Sequence, residues 1–440
     1  MWDTTLPPTT DAVWLMGVWQ RSPYAARRAR EVWADQAREQ LPDLTAADVP
    51  GSPYAVRGDR VDDHLGGDHG LAVARERLAQ RGVRLLLDHV PNHVAVEHPW
   101  VTARPTVVVT GTEQDLARAP DAFLRVGGRV VACGRDPNLP AWSDVVQLDA
   151  FSTTLRRLTI ATLRAIADRC DGVRVDMAML LLDDVVTRTW GDRVGPPLDQ
   201  PFWVEVIGAL RETHPGCHLV AEAYWDRQPD LLAQGFDRCY DKDLTDELLE
   251  HDVAAVRQRL GTEVAAQHRT LRFVENHDER RALTAFGWTH VRAAAALTAL
   301  VPGGLLLFEG QLDGRRVRVP VGIGRRPDEA DDPALRRWYE ALLHVRAGTD
   351  RAHARFVLHP PDPERRGRTS TLAWSWEATD GSATSVAVNL GTEQSEATIP
   401  RALTEPVTDE LDGRRLWPLP APEGVARFLL APGEVVVLRP

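Results

Sequence analysis

The stretch Gly172-Val173-Arg174-Val175-Asp176 is the most informative about the fold, because an apolar run ends there in a carboxylate. Buried parallel strands are short apolar runs, and a carboxylate that follows one lies at the carboxyl end of the sheet. The same pattern occurs in Leu87-Asp88-His89-Val90-Pro91-Asn92-His93, in Val220-Ala221-Glu222 and in Phe273-Val274-Glu275-Asn276-His277-Asp278. Four such strand ends in one chain predict a β/α barrel with an active site on its carboxyl face.

Composition and charge bound the class of protein. The 440 residues, 43% of them hydrophobic, suffice for one large α/β domain and a smaller one. The formal net charge of -11 is spread along the chain and offers no basic surface to nucleic acid or membrane, so we expect a neutral small-molecule substrate. The sequence shows no secretory signal peptide at Met1 and no apolar stretch of the ~18 residues that span a membrane. This predicts a cytoplasmic protein.

The cysteines and the single lysine argue against disulfides, a zinc site and a Schiff-base mechanism. Cys133, Cys170, Cys217 and Cys239 form no CxxC pair, so we expect buried free thiols rather than disulfides or a zinc site. Lys242 is the only lysine, and the carboxylates beside it favour its charged form. A surface ion pair is therefore expected for Lys242 rather than a Schiff base.

Strand-like runs alternate with helical patterns over residues 1–350. The predicted strands are Val13 to Trp19, Arg84 to Val90, Val173 to Val175, Leu219 to Ala221, Arg238 to Tyr240, Arg272 to Val274 and Leu305 to Phe308. This alternation predicts one domain of parallel β/α units. A closed barrel needs an eighth strand, and the residues before Val13 are too few for another strand and helix. We expect the barrel to lack its first strand and helix, or to be completed by an upstream segment or another subunit.

Two segments depart from this alternation. Residues 97–142 form one long connection with several glycines and prolines, which predicts an inserted loop subdomain after the strand that ends near Asp88. Further strands, separated by turn residues, are expected at Thr371 to Trp376, Thr384 to Val388, Ala426 to Leu430 and Val435 to Leu438. They predict a C-terminal, sandwich-like antiparallel β-domain over residues 351–440.

The four motifs, in this order, resemble the four signature regions of the α-amylase family, glycoside hydrolase family 13. Asp88 to His93 resembles the first region, Gly172 to Asp176 the second, the run before Glu222 the third, and Asn276 to Asp278 the fourth. The resemblance covers Val13 to Arg346. It implies a (β/α)8 TIM barrel, with residues 97–142 as the family's protruding loop domain and residues 351–440 as its C-terminal module.

The resemblance also implies roles for three carboxylates. Retaining hydrolysis uses a carboxylate nucleophile and a second carboxyl group that protonates the leaving oxygen, about 5 to 5.5 Å apart. Asp176 corresponds to the nucleophile and Glu222 to the acid/base. Asp278 corresponds to a residue that binds sugar hydroxyls and stabilises the transition state. Three carboxylates at one barrel mouth are costly unless they are used.

Five further residues are placed near the substrate by the same resemblance. Arg174 precedes Asp176 by two residues, so both lie on the same face of the strand, and Arg174 is expected to orient the Asp176 carboxylate. His93 and His277 are expected to hydrogen-bond the sugar. Tyr54 is expected to stack on it, with ordinary loop packing as an equal alternative. Asp88 is included as a site residue, although bracing of the strand ends is its favoured role.

Other expectations concern metals and the acceptor side. No cofactor or metal is expected: Asn92 could contribute to a calcium site, but residues 97–142 show no acidic cage. Where the family often has a histidine four residues after the nucleophile, this chain has Met177-Ala178-Met179-Leu180. Core packing and a hydrophobic acceptor site are both open for this segment.

Three functions stay open at this point. The first is a retaining enzyme that hydrolyses α-glucosidic bonds or transfers the glycosyl unit, acting on an α-glucoside or oligosaccharide. The second is a catalytically silent barrel that binds a sugar or a protein, and the third is a glycosyl phosphorylase, which needs an anion pocket near the site. The complete set of Asp176, Glu222 and Asp278 with Arg174 favours the first.

Overall fold

The computed structural model describes residues 6–32, 34–361, 370–403 and 405–439. The chain divides into two compact units. The first unit comprises Thr10–Tyr240 and Val319–Pro327. The second unit comprises Met1–Thr9, Asp241–Arg318 and Asp328–Pro440.

The first unit is built around a parallel sheet. The strands described in it are β1 (Ala12–Leu15), β2 (Trp19–Arg21), β3 (Val56–Val61), β4 (Arg84–His89), β5 (His93–Ala95), β6 (Phe123–Val126), β7 (Arg129–Gly134), β8 (Trp142–Gln147), β9 (Gly172–Val175), β10 (His218–Ala221) and β11 (Arg238–Tyr240). Strands β1, β4, β9, β10 and β11 pair in parallel in that order. Parallel neighbours in chain order, joined by helical crossovers, are the repeating arrangement of a β/α barrel.

Helices join these strands. Those described in the first unit are Pro23–Val32, Ala34–Gln40, Gly67–Gln80, Pro99–Ala103, Glu113–Arg118, Thr153–Ala167, Asp183–Trp190, Phe202–Thr213 and Gln228–Ala233, with short 3-10 turns at Ala46–Asp48, Asp63–Leu65, Pro105–Val107, Ala178–Leu181 and Gly191–Arg193. The helix Thr153–Ala167 begins at Ser152, whose hydroxyl accepts the backbone N–H of Leu155 at 3.3 Å. Its apolar stripe, including Leu163 and Ile166, is buried, as the helical spacing predicts.

The strand predicted from Val13 to Trp19 is divided in the structure. Strand β1 ends at Leu15, and Trp19 begins β2, which pairs antiparallel with β3. The turn lies at Gly17, which has a φ of +61°. A Cβ at Gly17 would lie 2.1 Å from Pro53 Cβ, so a side chain has no room there. Residues 6–11, the described stretch before β1, contain no strand, and β1 is the edge strand of this sheet.

A separate antiparallel sheet follows β4 directly. Its strands run in the order β5, β8, β7, β6, so it extends from His93 to Gln147. Its buried core includes Val94, Val107, Val131 and Val146. The long connection predicted as a loop subdomain is therefore an ordered layer, whose hydrophobic core also includes Leu155 of the helix Thr153–Ala167.

The second unit contains parallel strands, helices and antiparallel sheets. Its described strands are β12 (Thr270–Arg272), β13 (Gly304–Leu305), β14 (Arg355–Leu358), β15 (Thr371–Glu377), β16 (Ala383–Asn389), β17 (Ser395–Ile399), β18 (Val407–Thr408), β19 (Arg415–Leu416), β20 (Ala426–Leu430) and β21 (Val435–Leu438), and its helices are Lys242–Leu249, Val253–Leu260, Val264–Gln267, Ala282–Leu300 and Pro333–Ala347. Strands β12 and β13 pair in parallel. Both begin and end earlier than predicted: their last pair is Arg272 with Leu305, followed by a bond from Leu306 N–H to Arg272 O at 2.8 Å.

The C-terminal strands form a two-layer arrangement. Strands β14, β15, β16 and β21 make one antiparallel sheet, and β17 pairs with β20. Small, branched and aromatic residues fill the space between these layers, among them Ala387, Ile399 and Phe428. On the other side the sheet meets the helix Ala282–Leu300, where the indole N–H groups of Trp374 and Trp376 donate to Leu300 O at 3.3 and 2.6 Å.

Two expectations from composition can be compared with the structure. The four cysteines are buried and free, as predicted. Burial raises the pKa of Cys133 and of Cys170 to about 12, so neither thiol is activated as a thiolate. Among the helices that the structure describes, none combines the length and the hydropathy needed to cross a bilayer.

Candidate active site

Arg174 is the centre of a buried charge cluster at the carboxyl ends of the strands. Its Nη1 donates to Asp176 Oδ1 at 2.8 Å and reaches Asp88 Oδ1 at 3.4 Å. Its Nη2 lies 2.8 Å from Glu222 Oε2, at ion-pair distance but without hydrogen-bond alignment. One guanidinium thus joins the carboxylate of Asp88 in β4 with the carboxylates that directly follow β9 and β10.

Strand register explains why these groups meet. The β4–β9 ladder pairs Asp88 with Arg174, and the β9–β10 ladder pairs Val175 with Ala221. Asp176 and Glu222 are the next residues after that last pair, so they stand side by side at the strand ends. Neighbouring strands are about 4.8 Å apart, and alternate residues share a face, which brings Arg174 and Asp176 to the same side.

Aromatic rings surround the guanidinium. Arg174 Cζ lies 5.0 Å from the ring centroid of Trp14, 5.5 Å from that of Tyr54 and 5.7 Å from that of Tyr240. The Nε of Arg174 also donates to Tyr240 Oη at 3.3 Å. These rings attract the cation and keep water away from it, so its interactions with the carboxylates are stronger than at a surface. The predicted residue Tyr54 therefore lies at this cluster, as does Trp14, which sequence reasoning missed.

The charges in this cluster do not balance. Three carboxylates surround one guanidinium, and the side chains of Arg174, Asp88, Asp176 and Glu222 are 2%, 1%, 7% and 3% exposed. Burial raises the pKa of Asp176 well above its ordinary value, Glu222 and Asp88 add to the rise, and Arg174 opposes it. Burial disfavours the charge of Arg174, but the carboxylates outweigh burial and raise its pKa. The cluster therefore binds protons more tightly than separate exposed carboxylates do.

Glu222 is held by groups on both of its oxygens. Its Oε2 accepts the backbone N–H of Met177 at 2.7 Å, and its Oε1 accepts the hydroxyl of Tyr224 at 2.8 Å. Met177 has a φ of +43°, a left-handed conformation that is uncommon outside glycine. This turn directs the first N–H after Asp176 toward Glu222. Sequence reasoning missed both contacts, although the spacing of Tyr224 two residues after Glu222 was a usable signal.

The segment after Met177 is packed inside the first unit. Ala178, Met179 and Leu180 are 0%, 0% and 5% exposed, and they lie in the 3-10 turn Ala178–Leu181. The indole N–H of Trp203 donates to Ala178 O at 2.8 Å. The core-packing interpretation of this segment is therefore the one that the structure supports.

Asp88 also ties β4 to the start of the chain. Its Oδ2 accepts the backbone N–H of Gly17 at 2.8 Å, and its carbonyl accepts the indole N–H of Trp19 at 2.8 Å. These are the bracing contacts that the sequence favoured for this residue. Together with the 3.4 Å approach to Arg174, they place Asp88 in the cluster as a supporting group.

His93 lies at the start of β5, beside the antiparallel sheet. Its ring centroid is 5.1 Å from that of Trp142, and its Nδ1 is 3.3 Å from Asn92 Nδ2. Burial lowers the pKa of His93 to about 4, so its imidazole is neutral near pH 7. Asn92 is itself engaged in a reciprocal amide pair with Gln147, with N···O distances of 2.9 and 3.3 Å.

The fourth motif belongs to the second unit. Asn276 Oδ1 accepts the backbone N–H groups of Asp278 and Glu279 at 2.9 and 3.0 Å, which closes a tight turn. Asp278 Oδ2 lies 2.9 Å from His277 Nε2, and the Asp278 side chain is 39% exposed. The approach of Asp278 and His277 to Asp176 and Glu222 stays a prediction from the resemblance.

Neither a metal cluster nor a free lysine is seen in the described ranges. No group of three or more His, Cys, Asp or Glu side chains there is arranged to hold a metal ion. Lys242 pairs with Asp246 and lies 3.4 Å from Glu279 Oε1. The predicted ion pair of Lys242 is thus present, but its side chain is only 16% exposed and is partly buried rather than on the surface.

Known proteins resemble this chain in sequence and in fold. No family model matches the chain. The α-amylase MalA of Haloarcula japonica is 24% identical over 365 residues, which are 79% of this chain and 50% of MalA, so the chain spans about half the length of that relative. The α-amylase of H. orenii superposes with a TM-score of 0.69 at 16% identity, covering 98% of this chain and 90% of that structure. The Geobacillus thermoleovorans α-amylase GTA, solved with acarbose, gives a TM-score of 0.66 at 16% identity, covering 98% and 88%.

These likenesses show the fold. The chain has the fold of the α-amylase family, a β/α barrel with a C-terminal β-domain, as the resemblance of its four motifs predicts.

Proposed function

We propose that this chain is a retaining glycosidase or transglycosidase that acts on α-glucosidic bonds through a covalent glycosyl-enzyme intermediate. The observation that carries the proposal is the position of Asp176 and Glu222, side by side on neighbouring strands and both within 2.8 Å of one guanidinium. A strand spacing of about 4.8 Å suits the ~5 to 5.5 Å carboxyl separation of retaining enzymes rather than the ~6.5 to 9.5 Å of inverting ones.

In the first step, Asp176 is the nucleophile. Arg174 holds Oδ1, and Oδ2 has no hydrogen-bond partner within the described ranges, so Oδ2 is the oxygen available to attack. The bond from Oδ2 to the anomeric carbon forms as the glycosidic bond breaks, and Glu222 gives its proton to the leaving oxygen.

In the second step, water or a second sugar attacks the anomeric carbon. Glu222, now ionised, takes the proton of that acceptor, and Asp176 leaves as a carboxylate. Arg174 contributes to both steps because its positive charge favours whichever of the two carboxylates is ionised.

The substrate is proposed from the chemistry of the site and from the comparisons. The net charge of the chain favours a neutral ligand, and the acarbose-bound relative supports an α-linked oligosaccharide. Tyr54 and His93 would contact the sugar. The resemblance of the fourth motif assigns sugar binding to Asp278 and His277 as well.

The first experiment is product analysis. The protein is incubated with maltooligosaccharides, α-linked disaccharides and aryl α-glucosides, with and without phosphate, and the anomer formed first is identified by NMR. We expect cleavage that does not depend on phosphate, with the α-anomer released first. Release of the β-anomer first would indicate inversion, strict phosphate dependence would indicate a phosphorylase, and binding without turnover would indicate a silent barrel.

Variants then assign the carboxylates. Asp176→Asn keeps the shape but removes the attacking charge, so turnover should fall by about three orders of magnitude or more while circular dichroism shows an intact fold. Glu222→Gln should impair substrates with poor leaving groups far more than activated aryl glucosides, because only the former need protonation. Asp149→Asn is the matched control, since Asp149 is partly buried and accepts the N–H of Phe151 at 3.0 Å, outside the charge cluster.

A further inference from the structure

The two oxygens of Glu222 have different surroundings. Oε2 accepts the N–H of Met177 at 2.7 Å and lies 2.8 Å from Nη2 of Arg174. Oε1 accepts the hydroxyl of Tyr224 at 2.8 Å. The carboxyl group is therefore asymmetric before any substrate is present.

This asymmetry limits where a proton can sit. A backbone N–H and a guanidinium can only donate, so a hydrogen on Oε2 would face two other donors. A tyrosine hydroxyl can donate to a carboxylate and, after rotation, can accept from a carboxylic acid. Oε1 is thus the oxygen that can carry a proton while every polar neighbour keeps a compatible partner.

We propose that Tyr224 is a positioning residue that fixes the acid proton of Glu222 on Oε1 and stabilises the carboxylate that remains after proton transfer. The proposal rests on the proposed function, in which Glu222 is the acid/base. The proton moves from Oε1 to the leaving oxygen, the glycosidic bond breaks, and the Tyr224 hydroxyl rotates to donate to Oε1. Tyr224 keeps its own proton throughout.

The backbone after Tyr224 is held in place. Trp225 and Asp226 have φ values of +59° and +57°, and two consecutive left-handed residues other than glycine are uncommon. The carbonyl of Tyr224 accepts the N–H of Arg227 at 3.2 Å, and the Arg227 guanidinium binds both carboxylate oxygens of Asp184 at 2.8 and 2.7 Å. This anchored turn keeps the Tyr224 hydroxyl at Oε1.

Other charged and titratable groups also face Glu222. They are Arg174 and Asp176 from the end of β9, Tyr240 from β11 and Asp88 from β4, whose carboxylate shares the same guanidinium. All of them stay in place when Tyr224 is replaced by phenylalanine. That variant therefore isolates one hydroxyl group.

The experiment measures the pH dependence of kcat/KM for wild type and Tyr224→Phe. Removing a donor disfavours the ionised form of Glu222, so the basic limb of the profile should move upward by about one pH unit. Turnover should also fall about tenfold for substrates with poor leaving groups, and much less for activated aryl glucosides. Tyr24→Phe, at a partly exposed tyrosine on the helix Pro23–Val32, is the matched control and should change neither property.

A second measurement does not need turnover. The carboxyl stretching band of Glu222 is followed by infrared difference spectroscopy, in which each form is compared with its own Glu222→Gln variant. Tyr224→Phe should shift this band relative to wild type, because the carboxyl group loses a hydrogen-bond partner, with a similar melting temperature. An active enzyme whose pH profile and carboxyl stretching band are both unchanged by Tyr224→Phe would overturn the role of Tyr224 and leave the proposed function standing. A protein that cleaves no α-glucoside would refute the proposed function, whereas the infrared measurement would still show whether the Tyr224 hydroxyl binds the carboxyl group of Glu222.

Discussion

Replacing Arg174 with glutamine should destabilise the chain strongly at neutral pH and much less in mild acid. Removing one partner of a buried ion pair typically costs about 3 to 5 kcal/mol, because the remaining charge is left uncompensated. Here a single guanidinium contacts Asp88, Asp176 and Glu222, and each of these side chains is less than a tenth exposed. We therefore expect a loss near the upper end of that range, about 5 kcal/mol, at pH 7.

The sign of the pH dependence follows from Asp176. Its pKa in the folded state is raised, by burial first, so the stability it contributes is present below its ordinary pKa and is lost as the pH rises through the folded value. Without Arg174 the pKa of Asp176 rises further, because the opposing positive charge is gone. The difference in unfolding free energy between wild type and Arg174→Gln should then shrink by about 1.4 kcal/mol per pH unit for each proton taken up as the pH falls from 7 toward 5.

The assay is chemical denaturation of both proteins at pH 5, 6 and 7. Arg156→Gln is the matched control, because the Arg156 side chain is 0% exposed but pairs with one carboxylate, that of Glu205, which is 36% exposed. The cost of the control substitution should vary little over this pH range. An Arg174→Gln cost that is the same at pH 5 and pH 7, or no larger than the cost of Arg156→Gln, would refute the reasoning.

Two further predictions concern buried polar groups away from Arg174. Burial raises the pKa of Glu275 to about 7, with Arg281 opposing, so the unfolding free energy should fall by about 3 kcal/mol as the pH rises from 4.5 to 7. In denaturation curves, Glu275→Gln should make the unfolding free energy less dependent on pH; the same pH dependence in the variant and wild type would contradict this. Asn92→Ala should lower the unfolding free energy by about 1 kcal/mol in the same denaturation curves, because Gln147 loses the amide pair and keeps only its bonds to Leu148 O and from the N–H of Arg135; an unchanged unfolding free energy would argue against the amide pair as a stabilising contact.

The strand ends were predictable because they depend on local patterns. An apolar run of strand length that stops at a carboxylate is a local signal, and β4, β9 and β10 lie where three of the four runs occur, whereas β12 ends at Arg272, before the fourth run at Phe273 and Val274. The spacing of Arg174 and Asp176 also follows from strand geometry, since residues two apart share a face. The fold class was accessible for the same reason. The predicted boundaries of β1, β12 and β13 were less accurate. A strand ends where pairing with its neighbour ends, and the sequence does not show that point.

Contacts over long sequence distances were decided by the tertiary structure. The pair of Asn92 with Gln147, the aromatic enclosure of Arg174 by Trp14 and Tyr240, and the bond from Gly17 to Asp88 all join residues far apart in the chain. No local periodicity in the sequence predicts these contacts, because each depends on which groups are buried next to one another in the folded chain.

The surroundings of Glu222 show the same division. Its place after a buried strand is a property of the sequence, and so is its alignment with Asp176 once the two strands pair. The sharing of its two oxygens between Met177, Arg174 and Tyr224 depends on a left-handed turn, a side-chain direction and a loop anchored elsewhere. The amino-acid sequence therefore determined which charges meet at the strand ends, whereas only the tertiary structure decided which atom of each charge faces which donor, because hydrogen bonds depend on distances and angles set by packing.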